Sequence, residues 1–456
     1  MNVASSVPTG DRVRKAPLDP ARVQALKARD NWTNWRYLAL NWAIVAATLA
    51  TAIWAEHALA AGGYSMWWMV PVAAVTIIIM GASQHQLGGA IHEGAHYQLF
   101  ANRTLNEVAS DWLAGYPIYT STHHYRLHHL PHHQFVNDRA RDPIFAQADE
   151  SGHWLDFPLT HVDLTKALLR LLWLPGLIKY TVARARYSAL GKGDNPYIDP
   201  DRPGRQSTTL VGAVLAAGMP ALLIVMIVKG VSAPIVLGTW AVIWAAFVLF
   251  YAVIPDEWYA RGRVDGVIPH RVNAISRISF MALVYGALSA IQLAGYGNAW
   301  GYYGLYWVLP LFVSFPVFMI MREWLQHGNA DRGRLTNTRV FLTNPIFRYA
   351  VLPWGMDYHL PHHIMASVPH YRLKELHELL LQDPEYAEKG VVVEGLFGNK
   401  NERTGRPTAF GSLLVEHAPK RREQVHVDDT VLERADVADR AAIERESMAS
   451  RATDTP

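Results

Sequence analysis

Six apolar runs, each near the length that crosses a lipid bilayer, constrain this 456-residue chain more than any other feature. They fall at residues 37–55, 66–88, 210–228, 235–254, 278–293 and 303–321. A helix needs about 20 such residues to traverse ~30 Å of hydrocarbon. Inside the bilayer no water satisfies backbone N–H and C=O groups, so runs of this kind must be helical. The expected fold is an all-α integral membrane protein of four to six transmembrane helices. The lower number applies if the last two runs, of which the fifth is short, do not cross. A cytoplasmic helical cap carrying the histidine clusters described below completes it. Residues 168–183 are apolar but interrupted by Arg170, Pro175 and Lys179, the pattern of one helix lying on the membrane surface.

Charge divides the chain into three regions. Residues 1–35 are polar and read as a cytoplasmic N-terminal tail with a short helix near residues 20–30 and no cleaved secretory signal. Residues 36–395 read as a membrane-embedded catalytic domain, and 396–456 as a charged, disordered C-terminal tail. The connectors at 56–65, 229–234 and 294–302 hold a single basic residue, Lys229, and the remaining lysines and arginines lie on the other side. That asymmetry places both termini in the cytoplasm. The pairs Arg184/Arg186 and Arg261/Arg263 mark the same face. Trp67, Trp68, Trp300 and Trp307, near run ends, read as interfacial anchors. A net charge of +3 without a basic stripe excludes nucleic acid as a partner.

The chemistry is concentrated in histidine. The chain has 21 histidines and no cysteine, which excludes disulfides, thiolate zinc sites and cysteine-bound iron–sulfur clusters. His92-Glu93-Gly94-Ala95-His96 places two imidazoles one helical turn apart. One pentapeptide occurs twice, as His129-Leu130-Pro131-His132-His133 and His359-Leu360-Pro361-His362-His363. Because proline disfavours helix at the preceding residue, His132 and His133 are expected in the first turn of a helix with His129 just ahead of it. The second copy should repeat that arrangement. All these clusters follow even-numbered runs and so emerge on one face. Eight rings are too many for one tetrahedral zinc and suit two metals bound through nitrogen. His327, at the inner end of the sixth run, is a ninth candidate.

The pattern resembles the membrane fatty acid desaturase and hydroxylase superfamily, whose three histidine boxes read H-x3-4-H, H-x2-3-HH and H/Q-x2-3-HH. Tyr125-Arg126-Leu127-His128-His129-Leu130-Pro131-His132-His133, followed by Asp142-Pro143, is similar to the second box. Asp357-Tyr358-His359-Leu360-Pro361-His362-His363, followed by residues 367–377, is similar to the third. The likeness covers residues 35–384. It implies a di-iron centre that uses O2 to remove hydrogen from unactivated C–H bonds of a fatty-acid, acyl-lipid or other long aliphatic chain. Electrons would come from an external donor, a ferredoxin or a similar protein with its reductase. Carried over by position, the metal ligands are His92, His96, His129, His132, His133, His327, His359, His362 and His363, with two Fe2+ as cofactors. No catalytic residue beyond that centre is implied. The expected product is a double bond, with hydroxylation or oxidative decarboxylation of a similar chain as alternatives.

Two competing readings come from the residues themselves. His124 to His129 also spells an H-x3-HH pattern four residues early, but Pro131 and the identical second copy favour the later register. His92-Glu93-Gly94-Ala95-His96 fits the zinc protease signature with Glu93 as general base. That reading needs a third ligand, for which Asp265 is the nearest candidate, and it uses neither pentapeptide. Glu93, Asp142, Glu323 and Asp357 are natural acceptors for the far N–H of a ligating imidazole, and His123, His124 and His128 could surround the centre. His85 reads as a neighbour of the ligands or a packing residue rather than a ligand, and the remaining histidines as structural or solvent-facing.

Overall fold

The computed structural model describes residues 18–192, 195–199, 201–264, 266–418 and 426–428. Among the described residues six helical segments are long and apolar enough to span a membrane: Thr33–Ala61, Met66–Ala95, Gln206–Val228, Ala233–Val253, His270–Leu293 and Ala299–His327. They cover the six apolar runs almost throughout. The second and sixth continue past their apolar stretch into polar sequence, and those extensions carry His92 and His327. The short fifth run is lengthened by about two helical turns beginning at His270. The sixth is irregular. A π-type turn at Gly304–Val308 and a 3-10 turn at Leu309–Phe312 precede the α-helix Ser314–His327. Pro310 and Pro316 each remove a backbone donor in this stretch, which breaks the regular ladder.

The spans form two apolar groups. Leu38 and Val45 of the first, Met80 and Leu87 of the second, and Phe315 and Met319 of the sixth share one core. Leu215 and Met219 of the third, Tyr251 of the fourth, and Met281 and Tyr285 of the fifth share another. Gly81 makes the closeness of the second and sixth spans possible, since a Cβ there would meet the Phe315 backbone nitrogen at 2.7 Å. A tyrosine cluster joins the two groups: the Tyr119 hydroxyl lies 2.6 Å from that of Tyr303 and 3.2 Å from that of Tyr285.

Four expectations need correction. The single surface helix over 168–183 is two helices, His161–Arg170 and Leu174–Arg184. The chain breaks between them, and Pro175 sits in the first turn of the second, where a missing N–H costs nothing. Trp67 and Trp68 are exposed, but Trp300 and Trp307 are buried; the Trp307 indole donates to the Pro117 carbonyl and stacks on Trp42. The second histidine cluster, which holds the first copy of the pentapeptide, is continuous helix from Thr122 to Gln134, through Pro131. Pro131 leaves the Leu127 carbonyl without its helical donor, and the Asn195 side-chain amide replaces it at 2.8 Å. The loose tail expected from residue 396 is ordered at least to Ala418: Ala409 and Leu413 are buried, and Leu159 N–H donates to the Leu413 carbonyl at 2.8 Å.

A small two-stranded parallel sheet lies beside the third cluster. Arg339–Leu342 pairs with Val391–Glu394, with Val340 opposite Val392. The outer edge of the first strand takes up the approach to the third cluster, through Phe341 N–H to the Asp357 carbonyl at 2.7 Å. The strand thereby fixes where the helix His359–Ile364 begins.

Candidate metal centre

Nine buried histidines meet in two adjoining groups. His92, His96, His129, His133 and His362 form one, and His132, His327, His359 and His363 the other. Within each group one nitrogen per ring lies within 4.8 Å of every other. The structure thus brings together all nine positions carried over from the resemblance. His133 and His363 stack across the seam, with ring centres 4.2 Å apart.

Four sequence-distant segments deliver these rings, the inner end of the sixth span supplying His327. The polar end of the second span presents His92 and, at its C-cap, His96. The helix Thr122–Gln134 starts on the Ser121 hydroxyl and presents His129, His132 and His133. The helix His359–Ile364 presents the last three, with Pro361 in its first turn. There the expected geometry is off by a residue, because the helix begins at His359 rather than after it.

The nitrogen spacings fit a metal and do not fit hydrogen bonding alone. His129 Nε2 lies 2.9 Å from His96 Nε2 and 3.0 Å from His133 Nε2, which is 3.1 Å from His362 Nε2. His359 Nε2 lies 3.2 Å from His327 Nε2 and 3.1 Å from His363 Nε2. A neutral imidazole nitrogen carries one proton or one lone pair, so it cannot serve two such neighbours. A shared cation satisfies all the lone pairs together. With metal–imidazole bonds of about 2.1 Å, ligands at right angles would stand roughly 3.0 Å apart. Both nitrogens of His92 are buried and neither makes a hydrogen bond, so their lone pairs are open to a cation. Burial pushes His129, His133, His359 and His363 well below the ordinary imidazole value, and His132 and His362 down to about 3. They are therefore neutral, the form that binds metal.

Outer contacts orient the rings. Asp142 Oδ2 lies 2.9 Å from His132 Nδ1 and accepts from Asn137 N–H at 3.1 Å, while Oδ1 caps the next helix at Ile144 N–H. Replacing Asp142 with asparagine keeps that cap and removes the charge. Metal affinity measured against a competing chelator is expected to drop about 10-fold, and up to ~100-fold in Asp142→Ala. Unchanged affinity in both would show that His132 needs no anchor. Of the other carboxylates considered, Glu323 accepts from the Tyr180 hydroxyl at 2.8 Å and Asp357 pairs with Arg348 at 2.8 Å. Glu93 stands 3.4 Å from His92 Nδ1, but its other oxygen takes the His370 backbone N–H at 3.0 Å. Glu93 thus braces the third cluster's flank and is poorly placed as a protease base; Asp265 lies outside the described residues.

His123, His124 and His128 enter neither group. His123 packs against His270, His124 faces Ser121, and His128 meets Tyr187. The later register of the second cluster is the one at the centre. His85 Nδ1 faces the Ala350 carbonyl at 2.8 Å, a packing role.

Sequence reasoning missed Arg126, although it stood inside the quoted motif. Its buried guanidinium donates to the carbonyls of Gly94 and Ala95, each at 2.9 Å, and to Glu107 at 2.5 and 3.1 Å. It also misplaced Arg184, which lies 4.8 Å over the Phe315 ring and faces inward rather than marking a surface. Arg184 lines two cavities. One, of about 30 Å³, touches His92, His129, His132, His327 and His359. The other, of about 530 Å³, is largely apolar and runs among Val182, Ala217, Ile224, Val308 and Phe312.

A family model described as fatty acid desaturase matches residues 66–260 and 246–393, from the second span through the third cluster. The dihydrorhizobitoxine desaturase of Bradyrhizobium elkanii is 24% identical over 391 residues, covering 84% of this chain and 85% of that protein. The Delta(5) fatty acid desaturase fat-4 of Caenorhabditis elegans is 35% identical over 113 residues, covering 21% of this chain and 25% of its own length.

Proposed function

The chain belongs to the fatty acid desaturase family and is an oxidoreductase with a desaturase function; from that premise we propose that its nine converging histidines hold two iron ions and that it desaturates an aliphatic chain. The observation that carries this reading is the pairing of five and four buried imidazoles at one seam. Two irons there would supply O2 activation and hydrogen removal from C–H bonds. Overall, one new C=C bond releases two hydrogens, which leave with O2, two added electrons and two protons as two waters. With no cysteine the chain holds no cysteine-bound iron–sulfur relay of its own, which favours electrons delivered from outside. A separate ferredoxin-like donor with its reductase fits that need.

The protein's own residues bind, orient and exclude water. The apolar cavity among the third, fifth and sixth spans suits an aliphatic chain, and it approaches the histidines along one stripe of the sixth span: Leu311, Phe315 and Met319. The helix Leu174–Arg184 covers this stripe, with the Thr181 hydroxyl on the Leu311 carbonyl at 3.2 Å. The basic residues gathered on the cap side support a cytoplasmic centre and cytoplasmic termini. The catalytic unit runs from about residue 36 to Leu414, whose turn packs beneath the sixth span's inner end.

The test is metal analysis of the purified full chain, with lipid and small-molecule profiling of cells that do and do not make it. The expected result is iron near two per chain and a new double bond in an aliphatic product. Zinc near one per chain, or an alcohol as sole product, would overturn the proposal.

A further inference from the structure

The small cavity at the histidine centre is not lined as a slot for methylene groups would be. Besides the histidines it presents Arg184, Arg322, Glu323, Gln147 and Gln326. Arg322 is 7% exposed and lies one turn beyond Met319 on the cavity stripe of the sixth span. Its Nε has no partner, and its Nη1 reaches only the Met356 sulfur at 3.5 Å. Neither Arg322 nor Arg184 makes an ion pair among the described residues. Glu323 supplies one negative charge, and one of its oxygens already accepts from Tyr180. Two guanidiniums against one carboxylate leave the lining net positive even before any metal adds its charge. A buried guanidinium without an anion is unfavourable, so its presence at a reaction site points to an anion that arrives with the substrate.

We propose that Arg322, assisted by Arg184, binds the carboxylate of a substrate that is a free aliphatic acid rather than a neutral ester. Arg184 lines both cavities, so the same molecule extends its hydrocarbon tail into the 530 Å³ apolar cavity. The C–H bonds presented to the histidines are then those within a few carbons of the carboxylate. This deepens the desaturase reading and rests on it.

The test uses iron-loaded full-length enzyme in lipid nanodiscs, with hexanoate and methyl hexanoate as probes and calorimetric affinity as the readout. Wild type is expected to bind hexanoate at least about tenfold more tightly than the ester, the strength of a hydrogen-bonded charge pair. Arg322→Met should remove that preference while leaving ester binding and iron content unchanged, and Arg322→Lys should restore part of it. Equal hexanoate affinity in wild type and Arg322→Met, with two irons in both, would mean the metals hold the carboxylate and would overturn the assignment alone. If Arg322→Met does not fold, the wild-type comparison decides, and no acid-over-ester preference there also overturns it. Loss of the desaturase reading shows separately, as missing iron or a missing double bond.

Discussion

Alanine at His133 is expected to lose metal from both groups at once and to end desaturation. His133 sits at the seam: its Nε2 lies 3.0 Å from that of His129 and 3.1 Å from that of His362, and its ring stacks on His363 of the other group. Removing it deletes a donor from the group of five and the wall against which His363 packs. Loss of an outer anchor alone weakens metal sites by roughly 10–100-fold. Loss of a central ligand is therefore expected to exceed 100-fold in turnover and to bring iron below two per chain. His417 provides the control. Its Nε2 contacts Asn399 in the C-terminal segment, away from the centre, so His417→Ala should keep iron and activity. Two irons and full turnover in His133→Ala would show that the centre has been drawn around the wrong rings.

Much of this architecture can be read from sequence because the bilayer imposes a strict rule. Apolar runs of fixed length must be helices, and their parity decides which polar segments share a face. The histidine spacing is equally legible, since i, i+3 and i+4 share one side of a helix. What escapes is whatever depends on partners distant in sequence. Pro131 was read as a helix boundary because local rules say so. The helix continues because Asn195, 68 positions away from Leu127, supplies the missing hydrogen bond. Arg184 follows a surface-seeking pattern, but the sixth span offers it the face of Phe315 and a cavity, so it turns inward. The C-terminal segment is polar on average, which suggests a loose tail. Its few apolar residues, Ala409, Phe410 and Leu413, nonetheless join the main core. Mean composition hides a short docking segment.

Arg126→Met is expected to cost the largest share of stability of any single change outside the histidines. The guanidinium has no exposed surface and is bound bidentately by Glu107, which is itself buried. Its remaining donors reach the last carbonyls of the second span at Gly94 and Ala95, beside His96. The i+4 helical bonds end here, the Gly94 carbonyl keeping only the tight turn to Tyr97 N–H at 3.1 Å, and a cation at a helix C-terminus also meets the negative end of its dipole. One residue therefore fastens the helix of the second cluster to the end of the first. Methionine fills the space but leaves Glu107 buried and unpaired, which costs roughly 3–5 kcal/mol. Asn106 still donates to Gly94 at 2.9 Å, so the span end is only half released. Adding Glu107→Leu removes the orphaned charge, and the double variant should recover most of the melting temperature, since paired charges can be exchanged for apolar residues at little net loss. Turnover should not return with it. His96 would still lack the clamp that sets its position, and a displacement of about 1 Å at a reacting centre can cost ~100-fold. Thermal melting and turnover of the two variants, with iron content measured in each, separate these roles. A single variant that melts and turns over like wild type would show that Arg126 holds nothing the centre needs.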